Sequence, residues 1–399
     1  MTTVSVPPAV TDSAALAALL AALDGDRDGA RYIGGWVRDT RLGLLPQDID
    51  VATRLAPQEA ERRAQAAGLS TWSTPSGIAH GTIGVLVGGR TIEVTTLRRD
   101  VATDGRHATV AFTEDWREDA ARRDFTINAL SADPLTGAVH DYFGGLADLA
   151  AGRVRFIGAP ERRIAEDHLR ILRFFRFHAR FGRDAPDPAS YAACVARAKD
   201  LMALSRERIA AELLKLLGLP DPVPAVEAML AGGLFAPVLP EIVTADRLTA
   251  LVTSERTAGI APDGLRRLIA LLPLSATVAD AIGGRLRLSK VERKRMVLAT
   301  GWADGSPEAL AYEIGTESAV DRLLLHDAPD AARHVADWPR PRFPLSGGDL
   351  IAMGLTPGPA VATTLRAIEQ RWVAAGFPGE AALGETARQA VTEALGNHS

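Results

Sequence analysis

Residues 32–53 read YIGGWVRDTRLGLLPQDIDVAT, and this stretch decides the fold. A short strand runs into Gly34-Gly35, a helix carrying Arg38 follows, Pro46-Gln47 breaks it, and a second strand carries Asp48 and Asp50. Side chains alternate faces along a strand, so both carboxylates point one way while Ile49 and Val51 point the other, into a core. Two carboxylates side by side repel each other, and a hard divalent cation such as Mg²⁺ relieves the repulsion, taking oxygen ligands that it shares with phosphates. Gly34 and Gly35, placed at a helix start, let backbone N–H groups approach a polyphosphate at the positive end of a helix dipole. Arg38, one turn further, is within reach of the same phosphates.

An Asp-x-Asp pair alone is common at solvated strand ends, and a Gly-Gly pair is more common still. The ordered combination is specific. It resembles the nucleotidyltransferase superfamily that includes DNA polymerase β, and the longer string GGWVRD…DID is similar to the class II family of tRNA CCA-adding enzymes and bacterial poly(A) polymerases. The resemblance implies an α+β fold: a polymerase β-like nucleotidyltransferase head (mixed sheet with helices) over residues 1–140, then an all-α neck (141–218), body (219–335) and tail (336–399).

Length and composition agree with that size of protein. A chain of 399 residues exceeds one small core and suggests two to four subdomains. The opening MTTVSVPPAV lacks the basic and apolar regions of a signal peptide, and no apolar run is long enough to span a bilayer. Cys194 is the single cysteine, which excludes an intrachain disulfide and a Cys-rich zinc site and fits a cytoplasmic location. The net charge of −4 does not decide for or against nucleic acid, because a binder can confine its positive charge to one surface.

Working outward, residues 10–23 predict a helix capped by Asp12 or Ser13, residues 57–68 a second helix with Pro57 near its start and Gly68 past its end, and residues 80–98 a β-hairpin turning at Gly88-Gly89. Glu93 lies between Ile92 and Val94, so it opposes the apolar face. It is either an exposed strand glutamate or a third carboxylate beside Asp48 and Asp50. Glu93–Arg98 repeats the family pattern E-V-T-T-x-R, and polymerase-like sites use three acids for two metals. Residues 98–112, with Asp104-Gly105, read as a mobile loop; in the resembled family this loop takes part in the switch to adding A. Further on, Asp124 and Asn128 stand four apart, predicting one helical face. The surrounding RRDFTINAL matches the family's second motif, which implies Arg123 on the nucleotide's phosphates and Asp124 and Asn128 near the ribose.

Gly144-Gly145 reads as a domain hinge. Residues 160–181 are strongly periodic and predict one long, well-buried helix on which Asp167, Arg170, Arg173 and Arg176 recur every three residues. Chemistry suggests a use for the first pair. A carboxylate accepts from the amino group of cytosine or adenine, an arginine donates to N3 or N1, and uracil or guanine would turn a carbonyl lone pair on the carboxylate, leaving a buried group unpaired at about 1–3 kcal/mol. The alternative is an i,i+3 salt bridge. The string ED-x-x-R-x-x-R-x-x-R-F repeats the family's nucleotide-recognition motif in register and implies the base-reading role, with Arg173 and Arg176 in support.

Residues 205–217 predict a helix capped by Ser205. Residues 285–295 form a basic patch, and residues 346–372 resemble the C-terminal segment of bacterial family members. His326-Asp327 lacks the partner spacing of an HD hydrolase, and Gly81, Gly84 and Gly88 are hairpin glycines, not a dinucleotide fingerprint. The resemblance implies attack of an RNA 3′-hydroxyl on the α-phosphate of CTP or ATP, with Mg²⁺ held by Asp48 and Asp50, and a helical remainder gripping the tRNA acceptor arm. No protein partner and no membrane is implied. The rivals are a poly(A) polymerase, an enzyme adding only CC or only A, and a catalytically silent RNA-binding module.

Overall fold

The computed structural model describes residues 14–46, 48–103, 108–303 and 305–396. One compact unit runs to Leu216 and takes in Pro224–Val238; the other comprises Leu217–Val223 and Leu239 onward.

The first unit is built on a seven-stranded mixed sheet. Its strands are β1 (Ala30–Ile33), β2 (Asp50–Thr53), β3 (Ser70–Trp72), β4 (Thr82–Val87), β5 (Arg90–Thr96), β8 (Ser131–Ala132) and β9 (Val139–His140), in the spatial order β3-β4-β5-β2-β1-β8-β9. Only β2 and β5 run parallel, with Asp50 in register with Glu93; the other pairs are antiparallel. The β4–β5 hairpin turns at Gly88-Gly89, both with positive φ. Tyr32, Val51, Ile83, Val85, Ile92 and Val94 are buried in the sheet.

Three expectations need correction, and the first helix is met within the described residues. Residues 98–112 are a β-ribbon, β6 (Arg98–Thr103) paired with β7 (Ala108–Phe112), with Asp104-Gly105 outside the described residues. The β-branched Val101, Thr103, Thr109 and Val110 favour strands on either side of the polar stretch. The first helix is Ala14–Ala22, with the predicted caps Asp12 and Ser13 outside the described residues. Gly144-Gly145 opens the helix Gly145–Ala150: Asp141 caps it by accepting from the N–H groups of Phe143, Gly145 and Leu146, and a Cβ on Gly145 would lie 2.3 Å from the Thr126 carbonyl oxygen. Such close packing is not that of a hinge. Finally, the periodic segment 160–181 is two helices, Pro160–Glu166 and Leu169–Phe181. Asp167 between them is extended (φ −154°, ψ 109°), and its Oδ1 accepts from the Leu169 N–H at 3.0 Å. Aspartate competes for backbone donors in this way and so interrupts helices. The second helix buries Phe174, Phe175 and Phe177, and Phe174 and Phe177 pack with Phe125 and Phe156.

The second unit is helical throughout its described residues. Its interior contains an ion network in which Arg266 and Arg267 bind Glu255 and Arg266 and Arg295 bind Asp321. Within the basic run 285–295, Arg285 pairs with Glu241 and Arg293 with Asp280, as Arg295 does with Asp321. His326 meets the Gly301 carbonyl and Asp327 accepts from Ser254, so both serve packing. Leu350, Ile368, Trp372 and Leu383 form a separate core towards the C-terminus.

Candidate nucleotidyl-transfer site

The glycine turn has the geometry its sequence predicts. Gly34 sits at φ 62°, ψ −119°, open to glycine and strained for other residues, and opens the helix Gly35–Arg41. A Cβ there would also lie 2.9 Å from Arg123 Nη1. Two details differ from the expectation. The helix has only seven residues, too short for its dipole to dominate, and the Gly34 N–H already donates to the Leu130 carbonyl. Gly34→Ala is expected to cost about 1–3 kcal/mol of stability and to displace Arg123, which a urea unfolding curve and the KM for nucleotide would report together.

Asp48 and Asp50 line a cleft of about 160 Å³ with Gly35, Trp36, Arg38, Asp39, Pro46 and Arg180. The strand begins at Asp50, so Asp48 is on its approach and not on the strand itself. Asp48 is exposed, Asp50 and Ile49 are half-buried, and Val51 is fully buried. Glu93 stands beside Asp50 across the parallel pair. The Asp50 carboxyl is pushed above its ordinary range by burial, then by the Glu93 charge and more weakly by Asp48, against the pull of Arg123. Among the described residues no three His, Cys, Asp or Glu side chains converge into a ready-made metal cage. That donor set still fits a hard cation, because Mg²⁺ is ordinarily held by one or two carboxylates, water and substrate phosphates rather than by an all-protein cage. In the same cleft wall the Trp36 indole N–H is buried, with no acceptor among the described residues.

The arginines are fixed from behind. Arg38 is buried, with Nε 2.7 Å from Asp39 Oδ1 and Nη1 2.5 Å from Asn128 Oδ1, and lies over the Phe181 ring. Arg123 donates to Asp119 Oδ2 and to the Asn128 carbonyl, both at 3.3 Å. Asp124 and Asn128 meet, Asn128 Nδ2 donating to Asp124 Oδ1 at 2.9 Å, but through a turn and a short 3₁₀ segment (Thr126–Asn128) and not along an α-helix. Asp124 is buried, and Arg173 holds its Oδ2 through Nε at 2.8 Å and Nη2 at 2.5 Å. Arg176 binds the buried Glu212 at 2.6 Å.

Asp167 and Arg170 are not paired with each other, because the helix breaks at Asp167. Asp167 Oδ2 accepts from Arg208 at 2.8 Å, while Arg170 Nη1 donates to Glu166 at 2.6 Å and to the Arg163 carbonyl. Sequence reading passed over Asp39, Asp119, Glu166, Arg180 and Arg208. Asp39 was legible in the GGWVRD string; the others declare themselves only by contact.

Carboxylates crowded beside a glycine turn, with arginines braced around them, suit the transfer of a nucleotidyl group from a triphosphate. Comparison with known proteins agrees. Residues 30–155 match the family described as the poly A polymerase head domain, and residues 185–245 match the probable RNA and SrmB-binding site of polymerase A. The mitochondrial CCA tRNA nucleotidyltransferase 1 of Mus musculus is 35% identical over 369 residues, covering 87% of this chain and 83% of its own. The CCA-adding enzyme of Lacticaseibacillus paracasei is 34% identical over 365 residues, covering 88% and 89%. The chain belongs to the CCA tRNA nucleotidyltransferase family. Among solved structures, the Bacillus stearothermophilus CCA-adding enzyme in complex with CTP superposes with a TM-score of 0.72 at 25% identity, covering 95% of this chain and 99% of that one. The fold is shared also with the Thermotoga maritima CCA-adding enzyme complexed with tRNA (TM-score 0.67, 19% identity, covering 100% and 99%). No helix among the described residues is long and apolar enough to cross a membrane.

Proposed function

We propose that this protein adds CMP and AMP to the 3′ end of tRNA without a nucleic-acid template. The observation that carries the proposal is the parallel register that sets Glu93 beside Asp50, Asp50 itself lining the cleft with Asp48 and Arg180, in a chain alignable over most of its length with CCA-adding relatives. Asp48 and Asp50 would hold Mg²⁺, with Glu93 beside Asp50 as the third acid of the site; bound there, the cation lowers the pKa of the attacking hydroxyl and offsets charge on the phosphoryl oxygens. Gly35 and Arg38 line the triphosphate's cleft and Gly34 shapes the turn. Arg123, standing over Gly34, meets the phosphates, and Asn128 and Asp124 hold Arg38 and Arg173 around the sugar. Asp167 and Arg170 read the base, exchanging Arg208 and Glu166 for its edge, with Arg173 and Arg176 behind them. The head (1–140) and neck (141–218) perform this chemistry in the cytoplasm, and the body (219–335) and tail (336–399) hold the tRNA by shape and phosphate contacts.

The test is purified protein with Mg²⁺ and a tRNA transcript lacking its 3′ end, given CTP and ATP singly and together. Two additions with CTP, and a third once ATP joins, are expected on a sizing gel. A ladder with ATP alone would make it a poly(A) polymerase, and arrest after CC a partial enzyme. Arg170→Ala is expected to narrow the preference for CTP over UTP by about 10-fold or more, the value of one unpaired buried group, with a smaller change in triphosphate affinity. Equal losses for all four nucleotides would remove Arg170 from base selection.

A further inference from the structure

The cleft at Asp48 and Asp50 contains two guanidinium groups in different states. Arg38 is buried, and Nε, Nη1 and Nη2 are all engaged, by Asp39 and Asn128. Arg180 lies in the last turn of the helix Leu169–Phe181. Its side chain is 41% exposed and among the described residues makes a single hydrogen bond, from Nη2 to Asp39 Oδ2 at 3.0 Å. It therefore retains donors, and it lines the same cleft as the two acids. It is also preset: Asp39 holds one nitrogen, and the guanidinium lies over the Phe181 ring, 4.9 Å from its centroid. An anchored arginine with spare coplanar donors is suited to bidentate binding of phosphate oxygens.

Resting on the nucleotidyl-transfer reading above, we propose that Arg180 binds the β- and γ-phosphates of the incoming nucleotide and holds the pyrophosphate as it leaves. As the RNA 3′-oxygen bonds to the α-phosphorus, the bond from that phosphorus to the bridging oxygen breaks and its electron pair passes to pyrophosphate; the hydroxyl proton goes to water. Arg180 meets the charge that gathers on the leaving group. Arg38 is then a positioning residue, keeping Asp39 in place for Arg180. Because the contact is to phosphate, its loss raises the KM for CTP and ATP alike and leaves the choice of base unchanged.

The test is calorimetric titration of the full chain with inorganic pyrophosphate and Mg²⁺, for the natural protein, Arg180→Gln and Arg180→Lys. Arg180→Gln is expected to weaken binding by about 10-fold or more, the value of a charge-assisted hydrogen bond. Arg180→Lys keeps a cation on Asp39 but loses the fork, so an intermediate loss is expected. Binding by Arg180→Gln equal to that of the natural protein overturns the proposal. If Arg180→Gln does not fold, natural-strength binding by Arg180→Lys overturns it instead, as does a natural protein that binds no pyrophosphate. The outcomes separate the two readings. Nucleotide addition with pyrophosphate binding indifferent to Arg180 removes this assignment and leaves the reaction; no addition, with binding that depends on Arg180, does the reverse.

Discussion

Asp50→Ala is expected to abolish nucleotide addition, lowering kcat by about 10³-fold or more, while affinity for a tRNA lacking its 3′ end is nearly unchanged. Asp48→Ala should behave alike. RNA binding needs neither carboxylate, so the separation of the two readouts distinguishes an enzyme from a silent RNA-binding module. Stability supplies a second readout. Asp50 is half-buried beside Glu93 and Asp48, and its carboxyl is pushed above its ordinary range, first by burial and then by Glu93. A raised carboxyl in the folded state means that the folded chain holds its proton more tightly than the unfolded one. The ionised group therefore opposes folding at neutral pH, and the penalty is relieved as pH falls through the raised value. Asp50→Asn removes the charge and keeps the shape, so its thermal midpoint should rise while activity is lost. An acid retained at the expense of stability is the mark of a functional group. Undiminished addition by Asp50→Ala would sink the metal assignment, and a lower midpoint for Asp50→Asn would show that the acid is structural.

What the sequence disclosed followed from how locally each feature is determined. The Gly-Gly turn, the Asp50 strand and the β4–β5 hairpin are written in neighbouring residues, and each appears in the fold where its pattern predicts. Alternation turned Glu93 away from the core but left it either exposed or beside the acids; the E-V-T-T-x-R pattern favoured the second, and the parallel register with Asp50 is set by the fold. Side-chain partners were less legible, because they depend on distant segments. Periodicity predicts one helix over 160–181 with Asp167 and Arg170 on a shared face; the Leu169 N–H and Arg208 take up the aspartate instead. The same limit concealed Asp119, which holds both Arg122 and Arg123, and Arg180, whose partner Asp39 is 141 positions away.

The other large effect concerns Asp124, where substitution by alanine is expected to cost about 3–5 kcal/mol, the usual result of leaving one member of a buried ion pair behind. Its carboxylate accepts four N–H groups: Phe125 N and Asn128 Nδ2 on Oδ1, and Arg173 Nε and Nη2 on Oδ2. Asparagine is not a mild replacement, because whichever way its amide is turned, an NH₂ faces donors on one side. Asp124→Asn should therefore lose most of what Asp124→Ala loses, whereas at an exposed pair the two would differ little from the natural protein. Burial alone would raise this carboxyl, but the Arg173 charge and the hydrogen bonds from Asn128, Arg173 and Phe125 outweigh it and hold the group below the ordinary carboxylate range. With the folded value depressed, the stabilisation is fully present above the unfolded carboxylate pKa and is lost as pH falls through the depressed value. Urea unfolding at neutral pH and again in acid should thus show the natural protein approaching the Asp124→Asn variant only at acid pH. A constant gap between them down to strong acid would mean that the carboxylate's charge contributes nothing. Because Arg173 and Asn128 are the groups left behind, and Asn128 in turn holds Arg38 at the cleft, a folded remnant of either variant should also bind triphosphate poorly, which ties the buried ion pair to the chemistry at the surface.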